Sequence, residues 1–478
     1  MNYKTGFKSN FWKILNNLFI FLSVASISIN RRILIAKFSE IPHDYESIFL
    51  NFSDIVIILF LIYFLFYILL SKNIFLEFKN YIKYFKYPAY IGLVFLSFSG
   101  ISVINSTIPI LSLASFMRLS LMLLYSFSLG FLLINKGFLK KLLIYIVIFG
   151  VFNSLLASYQ FFTFRSFGLS FLGEATLSLL PGVSKVSFPG ALLVRGYGLF
   201  SHPNILGAYL FLCVMICAYL IEKIILIPQK IKTLKLFLAE GALILCVFGL
   251  MVSFSRSATI ASLISLSIFY LIIFCSRKIL KDGDFIKKIG SGEAWFGIIS
   301  IILAIFIALF VLGDIILPRF QNINGSSALI DRLKYSEMAI SAVVARPVFG
   351  VGIGSGVAYF LKNRTYSFFS FNNFWEFEPV HDLFLIIASE IGVLGLFFFL
   401  LLINYLLIKI SKFIFKKPGN KPGLIFCLSV LSGNLMLGIF DHYFWDSRSG
   451  ILIFWIAIAI SFSLIHPEKQ KKLQDIIL

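Results

Sequence analysis

The sequence predicts an all-α membrane protein, a polytopic bundle of about 12 transmembrane helices. Hydrophobic residues make up 59% of its 478 residues and charged residues only 13%, whereas soluble domains carry roughly 25% charged residues. The apolar residues also fall into runs of about 20, the length that a spanning helix needs. We therefore expect one integral membrane domain over residues 1–478, with a long extracytoplasmic loop at 314–382 that contains surface helices.

The first apolar run is expected to be an uncleaved anchor, because Arg31 and Arg32 follow it and no small-residue cleavage site does. Two pairs of runs are separated only by Asn105–Ile108 and by Ser255–Arg256, so a tight reversal is needed at each. The predicted spans are 11–29, 51–71, 88–105, 109–134, 138–163, 203–227, 233–254, 257–275, 295–313, 383–408, 422–440 and 450–466.

The distribution of charge predicts the orientation. The formal net charge is +20, and lysines are concentrated in alternate loops such as Lys72–Lys86 and Lys409–Lys421. By the positive-inside rule we expect these loops and both termini of this multi-pass protein to be cytoplasmic. The basic charge is thus explained by membrane loops, and we expect no nucleic-acid partner. The five cysteines lie in apolar runs without a CxxC pair, which predicts neither a zinc site nor disulfides.

The loop at 314–382 is the longest polar segment of the chain. Apolar residues recur at helical spacing near 327–345, which predicts a helix there. Several arginines lie outside the bilayer in this loop, and this indicates an anionic substrate. They are Arg319, Arg332, Arg346 and Arg364.

His381 stands where this loop meets the next apolar run. A histidine can act as a general base because its ordinary pKa is about 6.5, although one at a helix start can also be a simple cap. Glu390 follows on the same predicted helix and is expected to be a buried structural acid. The DxD sequence at Asp282–Asp284 lies in a lysine-rich loop and is expected to be a solvated turn, so no metal site is predicted.

Further polar groups lie at the ends of spans. RGYGLFSHPN contains Arg195, His202 and Asn204, and could also be a glycine turn whose proline starts a helix. Arg256 in SFSRSATIASL must face water, a carboxylate or an anionic ligand, since an unpaired arginine in hydrocarbon costs at least about 2.5 kcal/mol. Arg118 lies within a span, and a buried pair with an acid such as Glu240 is expected.

The last polar group is FDHYFWDSRSG, between the final two spans. Its aromatic residues also suit an interfacial belt. It offers Asp441, His442, Asp446 and Arg448.

Together these residues resemble the O-antigen ligase and polymerase superfamily of bacterial envelope glycosyltransferases, over roughly Arg195–Gly450. The most specific match is His381-Asp382, nine residues, and then Gly392-Val393-Leu394-Gly395. It is similar to the family pattern of a histidine, a polar residue, nine positions, a glycine, two positions and a small residue. The family favours Asn, Ser or Arg at the second place, so Asp382 is a mild departure.

The resemblance implies a helical membrane glycosyltransferase with an outward-facing site, which uses a glycan carried on undecaprenyl pyrophosphate and needs no metal or cofactor. By position, Arg195 and Arg256 would hold the pyrophosphate, and His381 would act on the acceptor hydroxyl. Asp441 is carried over less directly, as a substrate-binding residue. Arg332 is expected to bind substrate from its place in the long loop. Direct displacement would invert the anomeric centre.

The sequence leaves the acceptor open. Ligation to a lipid core, polymerisation of repeat units and protein O-glycosylation share the same donor chemistry, so the partners expected are the lipid-linked glycan, a glycan or lipid-core acceptor and membrane lipid. A polyprenyl-glycan flippase is the alternative from another class. It would place polar residues through many spans, because transporters bind near the midplane of the bilayer.

Overall fold

The structure is a computed structural model. It describes residues 3–39, 44–177, 182–188, 191–225, 232–279, 327–363, 377–416 and 421–467, with scattered positions between 299 and 313. The predicted Arg319 and Arg364 and the turn at Asp282–Asp284 lie outside the described residues.

The described chain is almost entirely helical. Its helices are α1 (Tyr3–Ser28), α2 (Phe52–Leu69), α3 (Lys72–Tyr84), α4 (Lys86–Ser102), α5 (Pro109–Leu132), α6 (Lys136–Thr163), α7 (Pro203–Ile225), α8 (Lys232–Val252), α9 (Arg256–Ile279), α10 (Ser327–Ala345), α11 (Gly356–Lys362), α12 (Leu383–Lys416), α13 (Pro422–Phe440), α14 (Tyr443–Asp446) and α15 (Arg448–Ile465).

The predicted all-α bundle is confirmed. Within the described ranges, 11 helices are long and apolar enough to cross a membrane, and each corresponds to a predicted span. The remaining prediction, 295–313, lies largely outside the described residues, and the positions described there are helical. Both tight reversals are present, since α5 begins at Pro109 and α9 at Arg256. Phe254, in the second reversal, adopts a left-handed backbone with φ of 51°.

Helix α3 and two β-hairpins were not predicted from the sequence. Helix α3 falls in what was read as a lysine-rich loop, yet it buries Tyr81 and packs Phe78 against Phe131 with ring centroids 5.2 Å apart. Two antiparallel hairpins pair β1 (Arg32–Lys37) with β2 (Ser47–Asn51), and β3 (Lys185–Phe188) with β4 (Ala191–Val194). These strands are short and lie within loops, so period-2 patterning gives little signal.

Helices α7 and α15 form the centre of the bundle. In α7 and α15, 89% and 94% of the residues in the apolar stretch are buried, against 28–67% in the other candidate spans. A helix that is hydrophobic all round is typically buried on all sides. Helix α7 packs against α8, α9 and α13, and α15 packs against α5. Both central helices begin at the same end of the bundle as the polar cluster described below.

Helix α12 is broken at Gly392, where φ is 82° and ψ is 168°. The break frees backbone groups that bind the loop after α10. Val393 N donates to Pro347 O at 2.8 Å, and Val351 N donates to Ser389 O at 2.9 Å. A Cβ atom at position 392 would overlap the carbonyl of Val348, so only glycine fits. Helix α10 forms where the sequence predicted it, and it packs against α12.

Candidate active site

Asp441 is the centre of a polar cluster at the end of α13. Its side chain is buried, with 6% of its surface exposed. Oδ1 lies 3.4 Å from Nδ1 of His381 and accepts the backbone N–H of His442 at 3.0 Å. Oδ2 accepts Nδ2 of Asn204 at 2.8 Å. The cluster therefore joins α7, α12 and α13, three helices far apart in sequence.

Arg195 anchors this cluster from the segment after β4. It is buried, and all three of its guanidinium nitrogens donate to protein oxygens. Nε donates to Ser253 O at 2.7 Å, NH1 to Ser184 Oγ at 3.0 Å and NH2 to Asn204 Oδ1 at 2.6 Å. A continuous chain thus runs from Arg195 through Asn204 and Asp441 to His381. These bonds give Arg195 a positioning role that the sequence did not reveal, and its contact with phosphate stays a prediction.

The electrostatics of the cluster favour a charged His381–Asp441 pair. Burial acts to lower the pKa of His381, but hydrogen bonding to Asp441 and to Glu378 raises that pKa to about 9. Burial acts to raise the pKa of Asp441, but its contact with His381 and the nearby histidines hold that pKa well below its usual range. His381 is therefore an imidazolium in the resting protein at neutral pH, and Asp441 is a carboxylate.

A second histidine–carboxylate pair lies beside the first. His442 Nδ1 is 2.7 Å from Asp446 Oδ2, and the rings of His442 and His381 are 4.9 Å apart. Burial opposes protonation of His442, but Asp446 and Asp441 raise its pKa. Ligand atoms of His381, Asp441 and His442 lie within 4.8 Å of one another and could hold a metal ion. A metal bound there would occupy the nitrogen lone pair that a general base needs. The expected absence of a metal stays a prediction.

Helix α10 lies close to His381. Its Tyr335 ring is 6.0 Å from the His381 ring. Arg332, one helical turn earlier, acts to lower the pKa of His381, as a nearby cation must. Arg256 begins α9, directly after the turn whose Ser253 carbonyl holds Arg195. The structure therefore brings Arg195, Asp441, His381 and Arg332 to one end of the bundle, with the backbone of Arg256 beside them.

Part of the chain is similar to a known protein family. Residues 241–400 match the family model described as O-antigen ligase. This part of the chain is therefore similar to O-antigen ligases. The match contains Arg256, Arg332 and His381, and the break at Gly392. No curated protein matches the chain.

Two site residues lie outside the part of the chain that matches the O-antigen ligase family. Arg195 precedes it and Asp441 follows it, and both reach His381 only through the fold. Asn204 is the bridge between them. The sequence alone assigned no role to Asn204. The sequence feature that could have identified Asn204 is its position directly after Pro203, which starts α7. A polar side chain in the first turn of a helix lies at the end of the span.

The glycine-rich loop at 350–356 binds a carboxylate of the protein itself. Glu390 accepts Gly354 N at 2.7 Å, Gly356 N at 3.2 Å and Trp445 Nε1 at 2.7 Å. Glu390 is buried on α12 just before the helix break. This geometry gives it the structural role that the sequence favoured, because it ties the loop and α14 to α12.

Arg118 is paired, but the partner predicted for it is wrong. Its Nε lies 3.7 Å from Asp54 Oδ2, and NH2 donates to the carbonyl of Phe49. Asp54 is in the first turn of α2, which packs against α5. The suggested Glu240 is on α8, which packs mainly against α6 and α7. Helix packing therefore decides the pair, and sequence distance gives no guide to it.

Proposed function

We propose that the protein transfers a glycan from undecaprenyl pyrophosphate to an acceptor hydroxyl, with His381 as the general base. The observation that carries this proposal is the His381–Asp441 pair, at 3.4 Å, held in place by the buried chain from Arg195 through Asn204. A carboxylate beside a histidine fixes the orientation of the ring and stabilises the imidazolium formed when the ring takes a proton. The family match supports glycan transfer as the reaction class.

In the proposed step, the acceptor oxygen attacks the anomeric carbon of the donor sugar. A new carbon–oxygen bond forms as the bond to the pyrophosphate breaks, and that electron pair leaves with the pyrophosphate. The acceptor proton passes to His381 in its neutral form, since the imidazolium cannot accept it. With Nδ1 facing Asp441, Nε2 is the nitrogen that takes the proton. Attack from the face opposite the leaving group inverts the anomeric centre.

The arginines would stabilise the leaving group. Negative charge develops on the pyrophosphate as the bond breaks, and stabilising such charge is often the largest catalytic contribution. Arg256 and Arg332 are proposed to bind the phosphates, since guanidinium groups can bind phosphate oxygens in pairs. Arg195 holds Asn204 and Asp441, and its own contact with the phosphates is proposed as a second role. Asp441 is proposed to orient His381, and a contact between Asp441 and the substrate is proposed as a second role.

The proposed site faces away from the cytoplasm, and the termini are cytoplasmic. The lysine distribution supports this orientation, because it leaves the arginine-rich ends outside. The lipid tail of the donor could then stay in the bilayer while its phosphates reach the ends of the spans. The proposed reaction needs no metal and no cofactor, since a base and cationic side chains are present.

The decisive experiment incubates the purified protein with a lipid-pyrophosphate glycan and separate candidate acceptors, followed by mass analysis of the products. Transfer to lipid A–core, to a growing glycan or to a protein identifies a ligase, a polymerase or a protein O-glycosyltransferase. We expect a covalent product and release of lipid pyrophosphate. A flippase would move the glycan across vesicles without forming a product, and this result would overturn the proposal.

A further inference from the structure

His202 is a neutral histidine in a cluster of charged residues. Its ring Nδ1 accepts the backbone N–H of Asn204 at 3.1 Å. An accepting nitrogen has a lone pair and no proton, so the proton of the ring is on Nε2. Nδ1 thus caps the first turn of α7 while Nε2 remains a donor. Among the described residues, no protein acceptor receives this Nε2–H, and the side chain is only partly buried.

The surroundings keep His202 neutral. Burial, and next the charge of Arg195, lower the pKa of His202 to about 3. Protonation would also break the bond from Asn204 and place a cation beside the buried guanidinium. His202 is therefore a donor whose state does not change over the physiological pH range. The charged and titratable groups that interact with it are Arg195, Asp441, His381, His442 and Glu378.

These groups favour an anionic oxygen as the acceptor of the N–H. Arg195 is cationic, and the raised pKa values of His381 and His442 favour their charged forms. The two carboxylates already have partners: Asp441 is bonded to Asn204 and paired with His381, and Glu378 lies 3.8 Å from Nε2 of His381. The free donor thus stands beside the Arg195 guanidinium, and a neutral N–H can bind an anion without the cost of burying another charge.

We propose that His202 binds a pyrophosphate oxygen of the lipid-linked donor through its Nε2–H. This role rests on the proposed function, and it adds to the arginines a donor that does not titrate. A hydrogen bond to a charged group contributes enough that its loss should weaken donor binding by about 10- to 100-fold.

Two substitutions separate this role from helix capping. In His202→Asn, the side-chain oxygen can take the place of Nδ1 and keep the bond from Asn204, but no donor remains at the Nε2 position. In His202→Gln, the amide nitrogen can reach the Nε2 position, but the cap is lost. Capping alone predicts that the asparagine variant resembles the parent and the glutamine variant is the impaired one. Donation to substrate predicts the reverse order.

The test measures binding of farnesyl pyrophosphate, a lipid pyrophosphate without sugar, to the full chain in nanodiscs by calorimetry, near pH 6 and near pH 8. We expect His202→Asn to bind about 10- to 100-fold more weakly at both pH values, and His202→Gln to stay close to the parent. Parental binding by His202→Asn, equal losses in both variants, or a loss that changes with pH would overturn the assignment and leave the proposed function intact. If the parent protein does not bind the probe, the pyrophosphate donor itself is wrong, and this role falls with it.

Discussion

Asp441→Asn is the most informative substitution, because it removes one charge from the pair without changing its size. In the parent, the His381 pKa of about 9 leaves only about one ring in a hundred neutral at pH 7. If the neutral ring is the base, transfer should rise about tenfold per pH unit between pH 6 and pH 8 and level off near the pKa. A rate that stays flat over this range would refute the general-base role.

Loss of the carboxylate should move the pH profile in a fixed direction. Asp441 stabilises the imidazolium, so its removal lowers the pKa of His381 by about 1–3 units and shifts the midpoint to lower pH. The plateau rate should also fall by about two to four orders of magnitude, because the ring loses its orientation and the charge that stabilises its protonated form. The assay is the initial rate of product formation across the pH range, by mass analysis.

Asp382→Asn is the matched control. Like Asp441→Asn, it removes one carboxylate near His381. Asp382 directly follows His381 in sequence, but its Oδ1 caps α12 by accepting Phe384 N and Leu385 N, each at 2.8 Å. Asparagine is also a good N-cap. The midpoint should therefore stay near that of the parent. An equal shift in both variants, or an unshifted midpoint in Asp441→Asn, would contradict the pairing described here.

Four other outcomes are expected. His381→Ala and His381→Gln should keep donor binding but lose transfer by about two to four orders of magnitude, and transfer at the parental rate would exclude the base role. Arg256→Ala should abolish transfer in a folded protein, and Arg256→Lys should recover little of it because the guanidinium fork is lost. Full activity of Arg256→Ala would show that Arg256 only faces water in a turn. Gly392→Ala should destabilise the fold by about 1–3 kcal/mol or more in thermal or denaturant unfolding, given the glycine-only backbone. Asp54→Ala and Arg118→Ala should each destabilise by about 3–5 kcal/mol, as expected when one partner of a buried pair is removed, and a double mutant no worse than either single variant would confirm their coupling.

The sequence predicted the spans because each is long and apolar, which is a local property. It also placed the helix at 327–345, since the periodicity and the following Pro347 and glycines are local signals too. The hairpins were missed because strands of four to six residues carry little pattern. Local rules thus give the membrane architecture and leave its small extramembrane elements undetermined.

The candidate site was predictable residue by residue but not in its connections. Polar residues at the ends of apolar runs are expensive unless paired, so they could be singled out from the sequence. Which of them bond depends on helix packing, and this placed Asn204 between Arg195 and Asp441. The same reason explains why Arg118 pairs with Asp54. A pair formed across helices has no signature in sequence spacing.

Because α12 is broken at Gly392, the position of His381 does not depend on the tilt of the helix after the break. The helical turns between His381 and Gly392 are fixed at one end by the loop bonds at Ser389 and Val393. The position of His381 along the helix axis, and its direction around that axis, therefore depend on the number of residues before the glycine. One inserted residue there would turn the ring by about 100° and move it by about 1.5 Å. A spanning helix adapts to bilayers of different thickness by tilting, and a change of tilt in α12 after the break would leave the turns that carry His381 in place.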